Sequence, residues 1–152
     1  MKFTLLILAL IFSGHVLSQH GGNRQYRDVF HSLLKNHHKI ERSVDIIKNG
    51  VRTKTTSSDA DIAKFIKRHV DQMKGLIENG RRIRNWDPLF SAIFDHYELI
   101  EMKINEISHG VEVVETSNDP FVAKLIVEHA KVVSLFVKHG FEEAHRSHPL
   151  PQ

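Results

Sequence analysis

The hydrophobic positions of residues 29–80 follow two different spacings. In the first part, apolar side chains recur every three or four residues, as on one face of a helix: Val29, Phe30, Leu33, Leu34, Ile40 and Val44. The stretch VDIIKNGVRTKT then alternates loosely around Asn49-Gly50, a pair typical of type I′ hairpin turns. A second helical stripe follows TSSD, which suits a helix N-cap, and ends near Gly80: Ile62, Phe65, Ile66, Met73, Leu76 and Ile77. The pattern therefore predicts a helix–hairpin–helix unit.

The same unit recurs sixty residues later. Residues 29–80 align with residues 89–140 without a gap, and identical residues recur along the whole alignment: Phe30/Phe90, Ile40/Ile100, Glu41/Glu101, Ile47/Ile107, Gly50/Gly110, Val51/Val111, Thr56/Thr116, Ser57/Ser117, Asp59/Asp119, Ala63/Ala123, Lys64/Lys124, Ile66/Ile126, His69/His129 and Gly80/Gly140. One unit leaves an apolar face uncovered, so two units are expected to pack about a pseudo-two-fold axis.

The predicted fold class is α+β and helix-dominated. We expect two tandem α–β-hairpin–α repeats packed as a four-helix bundle-like domain. The single domain covers residues 19–152 and contains the repeats 29–80 and 89–140, followed by a C-terminal tail at 141–152.

Residues 1–18 have the composition of a secretory signal peptide. Lys2 precedes an apolar run from Phe3 to Phe12, which is too short for a stable membrane span, and Val16 and Ser18 suit the −3 and −1 positions of a cleavage site. We therefore predict cleavage after Ser18 and a periplasmic or secreted mature protein without a further membrane span.

Composition excludes several classes of function. The 152 residues include no cysteine, which excludes disulfides, thiolate catalysis and covalently attached c-type haem. The chain has 21 Lys+Arg against 18 Asp+Glu, a mildly basic balance that, together with export, argues against a nucleic-acid partner. Gly-x-Ser-x-Gly, phosphate-loop and dinucleotide-binding motifs are missing, so the sequence favours a binding protein over an enzyme and assigns no catalytic residues.

Histidine is the most unusual component, with 12 residues in the chain. His69 and His129 occupy equivalent positions on the apolar stripes of the second helix of each unit, and His37 and His96 lie on the first helices. Neutral imidazole binds transition metals and haem iron, and apolar surroundings exclude water from such sites. We therefore predict that the four inward histidines bind zinc, copper or iron, or that two of them hold haem b without covalent attachment.

The tail supplies one further candidate metal ligand. Glu142 and His145 have the Glu-x-x-His spacing of di-iron helix bundles, and His145 joins the candidate set. In a competing hypothesis, the histidines are structural, each hydrogen-bonded to a carbonyl or carboxylate, and the protein is a non-catalytic module that binds an envelope protein. The two hypotheses differ in whether the imidazole nitrogens converge.

Several segments together resemble a group of uncharacterised exported bacterial proteins built from the same tandem unit. These segments are WDPLF, GVEVVETSNDPFVAKLI and FEEAHRSHP, combined with the paired histidines. The resemblance covers essentially the whole mature chain, and TSNDP followed by the apolar stretch up to His129 is its most specific part. It implies a bacterial periplasmic or secreted protein and brings no established activity. In the first unit TSSDA replaces TSNDP, so the proline is not essential to the unit.

Overall fold

The computed structural model describes residues 20–152, with side chains from Tyr26 onward, so the predicted signal peptide and its cleavage site lie outside the described residues. Both units have the same order of elements. The first unit consists of α1 (His20–Lys35), a 3₁₀ turn (His37–Lys39), β1 (Glu41–Ile47), β2 (Gly50–Thr56) and α2 (Ala60–Glu78). The second consists of α3 (Pro88–Asp95), a 3₁₀ turn (Tyr97–Leu99), β3 (Glu101–Ile107), β4 (Gly110–Thr116) and α4 (Pro120–His139), and a short α5 (Phe141–Ala144) follows.

The two hairpins join into one antiparallel sheet with the strand order β1-β2-β4-β3. At its centre, Thr53 of β2 lies opposite Val113 of β4, the residue sixty positions later. At one end of these strands Gly50 pairs with Thr116, and at the other end their equivalents, Gly110 and Thr56, pair with each other. A pseudo-two-fold axis therefore passes between Thr53 and Val113.

The prediction of a helix-dominated four-helix bundle is wrong. The hairpins form a continuous four-stranded sheet, and α2 and α4 pack on it instead of around a bundle axis. The misassignment begins after Lys35, where α1 ends although Ile40 and Val44 continue its hydrophobic spacing. Val44 lies in β1, because β-branched residues that alternate with polar ones suit a half-buried strand.

The sheet has one covered face and one exposed face. The central strands bury Val51, Thr53, Val111 and Val113 beneath the helices, whereas the intervening Arg52 and Lys54 are exposed. This alternation fixes the register, because a slip of one residue would expose every apolar side chain. Among the described residues, no helix has both the length and the apolar character needed to cross a membrane.

The TS-x-D segments tie each central strand to the opposite unit. The Ser57 N–H donates to the carbonyl oxygen of His109 at 3.0 Å, and the Ser117 N–H donates to that of Asn49 at 2.9 Å. Each serine hydroxyl accepts a bond from the N–H of the aspartate two residues later. That aspartate caps α2 or α4, which confirms the predicted helix starts. The TS-x-D segment of each unit therefore connects the sheet to the start of the following helix.

Gly50 and Gly110 are needed where β2 meets β4, and not in the turns. The loops consist of residues 48–49 and 108–109, and none of these four has a positive φ, so the expected type I′ turn at Asn49-Gly50 does not form. A Cβ on Gly50 would lie 1.9 Å from the Glu115 carbonyl oxygen, and one on Gly110 would lie 2.0 Å from that of Thr55. The two backbones approach too closely for any side chain.

Gly50→Ala is expected to lower the free energy of unfolding by at least about 2 kcal/mol, because β2 and β4 must separate. Gly75→Ala is the matched control, since a Cβ there meets no atom within 4 Å. That change should raise the free energy of unfolding by about 0.5–1 kcal/mol, because alanine is the better helix former. Urea denaturation measures both, and equal effects of the two variants would contradict the close strand contact.

The tail folds back onto the start of α3 and closes a buried ionic network. The Asp87 carboxylate, 0% exposed, accepts hydrogen bonds from His148 Nδ1 at 2.7 Å and Arg84 Nη2 at 3.1 Å. The second ring nitrogen of His148, Nε2, lies 3.0 Å from Glu143 Oε1. Burial raises the pKa of Asp87, but the bonds from His148 and Arg84 outweigh burial and the pKa is lowered. The network thus fixes residues 141–152 against the linker between the units.

His148→Ala is expected to lower the free energy of unfolding by about 3 kcal/mol or more, because it leaves two buried carboxylates without their shared partner. His145→Ala is the control: this ring is exposed and bonds the Phe141 carbonyl within its own turn, so its loss should change stability by about 0.5 kcal/mol or less. Guanidinium denaturation of both variants distinguishes them. If His148→Ala were as stable as His145→Ala, the network would not hold the tail.

Candidate functional site

A largely apolar cavity of about 640 Å³ lies between the sheet and the helices. Its sheet side includes the central pair Thr53 and Val113, so the cavity straddles the pseudo-two-fold axis. Its helix side carries aromatic rings from three helices: Phe30, Phe90 and Phe136. The volume falls within the range of about 300–1,000 Å³ that is usual for sites of small molecules and cofactors.

His69 and His129 project into this cavity from α2 and α4. Each packs against the equivalent phenylalanine of its own unit. The His69 ring stacks on Phe30 with 5.6 Å between ring centroids, and the His129 ring meets Phe90 edge-on at 5.2 Å. The duplication has thus placed two imidazoles, each beside an aromatic ring, around one cavity.

Both imidazoles are neutral and uncommitted. Burial lowers the pKa of His69 to about 4, and burial together with the nearby charge of Arg42 and the His69 ring lowers that of His129 to about 4. His69 Nδ1 is buried without a hydrogen-bond partner among the described residues, and no hydrogen bond contributes to the lowered pKa of the His129 ring. Two unprotonated imidazoles in an apolar cavity are suited to bind a metal centre carried by a ligand.

The other predicted ligands lie elsewhere or are already engaged. His37 borders the cavity, but its Nδ1–H donates to the carbonyl oxygen of Val137 at 2.8 Å. His96 lies outside the cavity lining, at the end of α3, where its Nδ1–H donates to Ala92 O at 2.9 Å. A bond from Nδ1–H to a backbone carbonyl is common to structural histidines and to histidines that bind a metal through Nε2, so what separates these two residues is position: His37 lines the cavity and His96 does not.

His145 is exposed in the tail and bonds the Phe141 carbonyl at 2.7 Å. The five candidates therefore do not converge at one point. His37, His69 and His129 line the cavity, whereas His96 and His145 do not. Among the side chains that the structure describes, from Tyr26 onward, no three His, Asp or Glu residues form a group that could hold a metal ion. A four-histidine metal centre is thus not formed by the described residues.

Two charged residues of the cavity, Arg42 and Glu115, escaped the sequence analysis. Arg42 Nη1 donates to Thr55 Oγ1 at 2.6 Å, and its Nε is buried without a partner among the described residues. Burial lowers the pKa of Arg42 to about 10 and raises that of Glu115, and the attraction between them opposes both shifts. The available signal was the spacing of two residues between Arg42 and Val44, which places both on the half-buried face once residues 41–47 are read as a strand.

The chain matches no protein-family model, and no curated protein or solved structure is significantly similar to it. The resemblance to exported bacterial proteins therefore remains a prediction. The chemistry of the cavity is the basis from which a function can be inferred.

The ligand-free protein should lose stability as the pH falls from about 6.5 to about 4. In this window the unfolded chain, whose histidines have the ordinary pKa of 6.5, binds protons that folded His69 and His129 do not, so acidification favours unfolding. The expected loss is on the order of 1–3 kcal/mol per ring.

A double variant, His69→Leu with His129→Leu, isolates this contribution. Its other ionisable groups are those of the parent protein, so the difference between the two profiles of unfolding free energy against pH belongs to the pair. Parallel profiles between pH 6.5 and 4 would show that the two rings titrate normally.

Proposed function

We propose that the protein binds haem without covalent attachment in the central cavity, with His69 and His129 as the imidazoles that ligate the iron. The observation that carries the proposal is the pair of equivalent, neutral and uncommitted imidazoles in an apolar cavity at the pseudo-two-fold axis. Haem iron is commonly held by histidine, and the surrounding pocket controls water access.

A bare zinc, copper or iron ion fits the described residues less well. Protein sites for these ions use three or four converging side chains, and the side chains described from Tyr26 to Gln152 offer no such group. Haem brings the porphyrin nitrogens as ligands of its own, so one or two imidazoles complete the coordination. Of the two ligand classes that the sequence predicted, the cavity therefore favours haem.

The chain's own residues hold and shield the ligand. Phe30 and Phe90 pack against the two imidazoles and restrict their ring orientations, and Phe136 contacts both phenylalanines at centroid distances of 5.9 and 6.0 Å. These rings form an apolar wall beside the two imidazoles. Because both pKa values are about 4, the imidazoles remain unprotonated throughout the neutral and weakly acidic range. When bound, haem would supply an iron centre for transport, storage or electron transfer.

Titration of the mature protein, residues 19–152, with haem tests the proposal. A shifted Soret band is expected, with His69→Ala and His129→Ala each weakening haem binding at least about tenfold, because each removes an iron ligand. His96→Ala is the matched control, since this ring bonds Ala92 outside the cavity and its loss should leave the spectrum unchanged. Absence of a Soret shift, or equal spectra for His129→Ala and His96→Ala, would overturn the proposal.

The competing function is a module that binds an envelope protein and whose histidines are structural. The carbonyl bonds of His37, His96 and His145 are compatible with that interpretation for those three residues. They do not account for the uncommitted rings of His69 and His129. A mature protein that binds neither haem nor metal would make a protein partner the better proposal.

A further inference from the structure

Arg42 is a cation of the cavity that forms no ion pair among the described residues. Three arginines line the cavity, and Arg27 is exposed on α1. Arg84 donates hydrogen bonds to Asp87 at 3.1 Å and to the carbonyl oxygens of Ala144 at 2.8 Å and Arg146 at 3.2 Å. Arg42 instead extends from β1 into the covered side of the sheet. Among the described residues it forms one side-chain hydrogen bond, to Thr55, and has no carboxylate within 4.0 Å.

A buried guanidinium with so few partners is costly. It offers five N–H donors, and leaving donors unpaired away from water lowers stability unless an anion or water engages them. The cost is usually met by a carboxylate held in a two-pronged hydrogen bond. Glu115 does not serve, because it attracts Arg42 only across a distance longer than an ion pair.

Arg42 has no basic counterpart in the second unit. Arg42 and Met102 are equivalent at the sixty-residue shift, as are Thr55 and Glu115, and all four line the cavity. The two imidazoles are symmetric, but the sheet side carries an arginine and a threonine at one end and a methionine and a glutamate at the other. A symmetric pair of iron ligands thus combines with an asymmetric polar wall.

We propose that Arg42 binds a carboxylate of the ligand and thereby selects acidic ligands and fixes their orientation in the cavity. This inference deepens the proposed function, because it rests on the same cavity and names the chemical class that enters it: a flat apolar body with a carboxylate side arm. The carboxylate meets Arg42 at the end formed by the first unit. The opposite end, with Met102 and Glu115, offers no cation to an anionic group.

Glu115 does not cancel the preference of Arg42 for acidic ligands. It faces the same cavity from β4, and burial raises its pKa, which favours the uncharged carboxyl group. A carboxylate bound by Arg42 therefore meets the hydroxyl of Thr55, whereas Glu115 lies at the opposite end of the sheet side. Glu115→Gln should consequently retain the preference for acidic ligands.

Paired ligands test the inference directly. Protoporphyrin IX and haem each exist as the free diacid and as the dimethyl ester, which differ only in the carboxylates. The mature protein is expected to bind each diacid about 10–100 times more tightly than its ester, since a hydrogen bond to a charged group contributes about 1.5–3 kcal/mol. Tryptophan quenching and the Soret band give the dissociation constants in one detergent buffer.

Arg42→Met installs the residue that the second unit has at the equivalent position, so the fold should accept it. This variant should lose the preference for the diacid while its affinity for the ester stays the same, and Arg42→Lys should restore part of the preference. Arg27→Met is the control, because it removes an exposed arginine beside the cavity and should keep the full preference. A diacid preference that survives in Arg42→Met would overturn the inference.

The ligands separate this inference from the proposed function. Haem binding that depends on His69 and His129 but is indifferent to Arg42 overturns the inference and keeps the function. Metal-free protoporphyrin that binds through Arg42, with no histidine-dependent Soret shift for haem, overturns the function and keeps the inference. Failure of all four ligands to bind overturns both.

Discussion

The fold depends on the close pairing of β2 with β4 across the pseudo-two-fold axis. Gly50 and Gly110 permit this contact, since a Cβ at either position would lie about 2 Å from a backbone oxygen of the other strand. The pairing joins two hairpins, each marginal alone, into one four-stranded sheet with a shared covered face. It therefore also brings α2 and α4 over the same sheet face, which places His69 and His129 at one cavity instead of two separate sites.

Duplication supplied the symmetric half of the cavity, and later divergence supplied the asymmetric half. The His–Phe pairs are copies, whereas Arg42, Glu115 and the tail have no counterparts. The tail also reaches the cavity indirectly: the Arg84 guanidinium, held by the buried Asp87 network, lies 4.8 Å from the ring centroid of Phe90 and 5.3 Å from that of Phe136. The network that anchors residues 141–152 thus also supports the aromatic wall of the cavity.

Local signals in the sequence predicted the parts of the fold that local interactions determine. The aspartate caps and the second helix of each unit follow from side-chain type and spacing, and these predictions are confirmed. The sheet order was not predictable from local signals, because β2–β4 pairing joins residues that lie 54 to 66 positions apart. The end of α1 was also missed, since Ile40 and Val44 fit a helical spacing as well as a strand. Arg42 was overlooked for that reason, and His148 because its partner Asp87 lies 61 residues away.

The central claim is that His69 and His129 are neutral, uncommitted imidazoles at one cavity that receives a ligand. Nitrogen-15 NMR of histidine-labelled mature protein tests it most directly, with assignment by the His69→Leu and His129→Leu variants. The His69 and His129 rings are expected to stay neutral from pH 7 down to about pH 4. The signals of these same rings are expected to shift when gallium protoporphyrin, a diamagnetic analogue of haem, is added. Two rings that titrate near pH 6.5, or a porphyrin that shifts only other histidines, would contradict this claim.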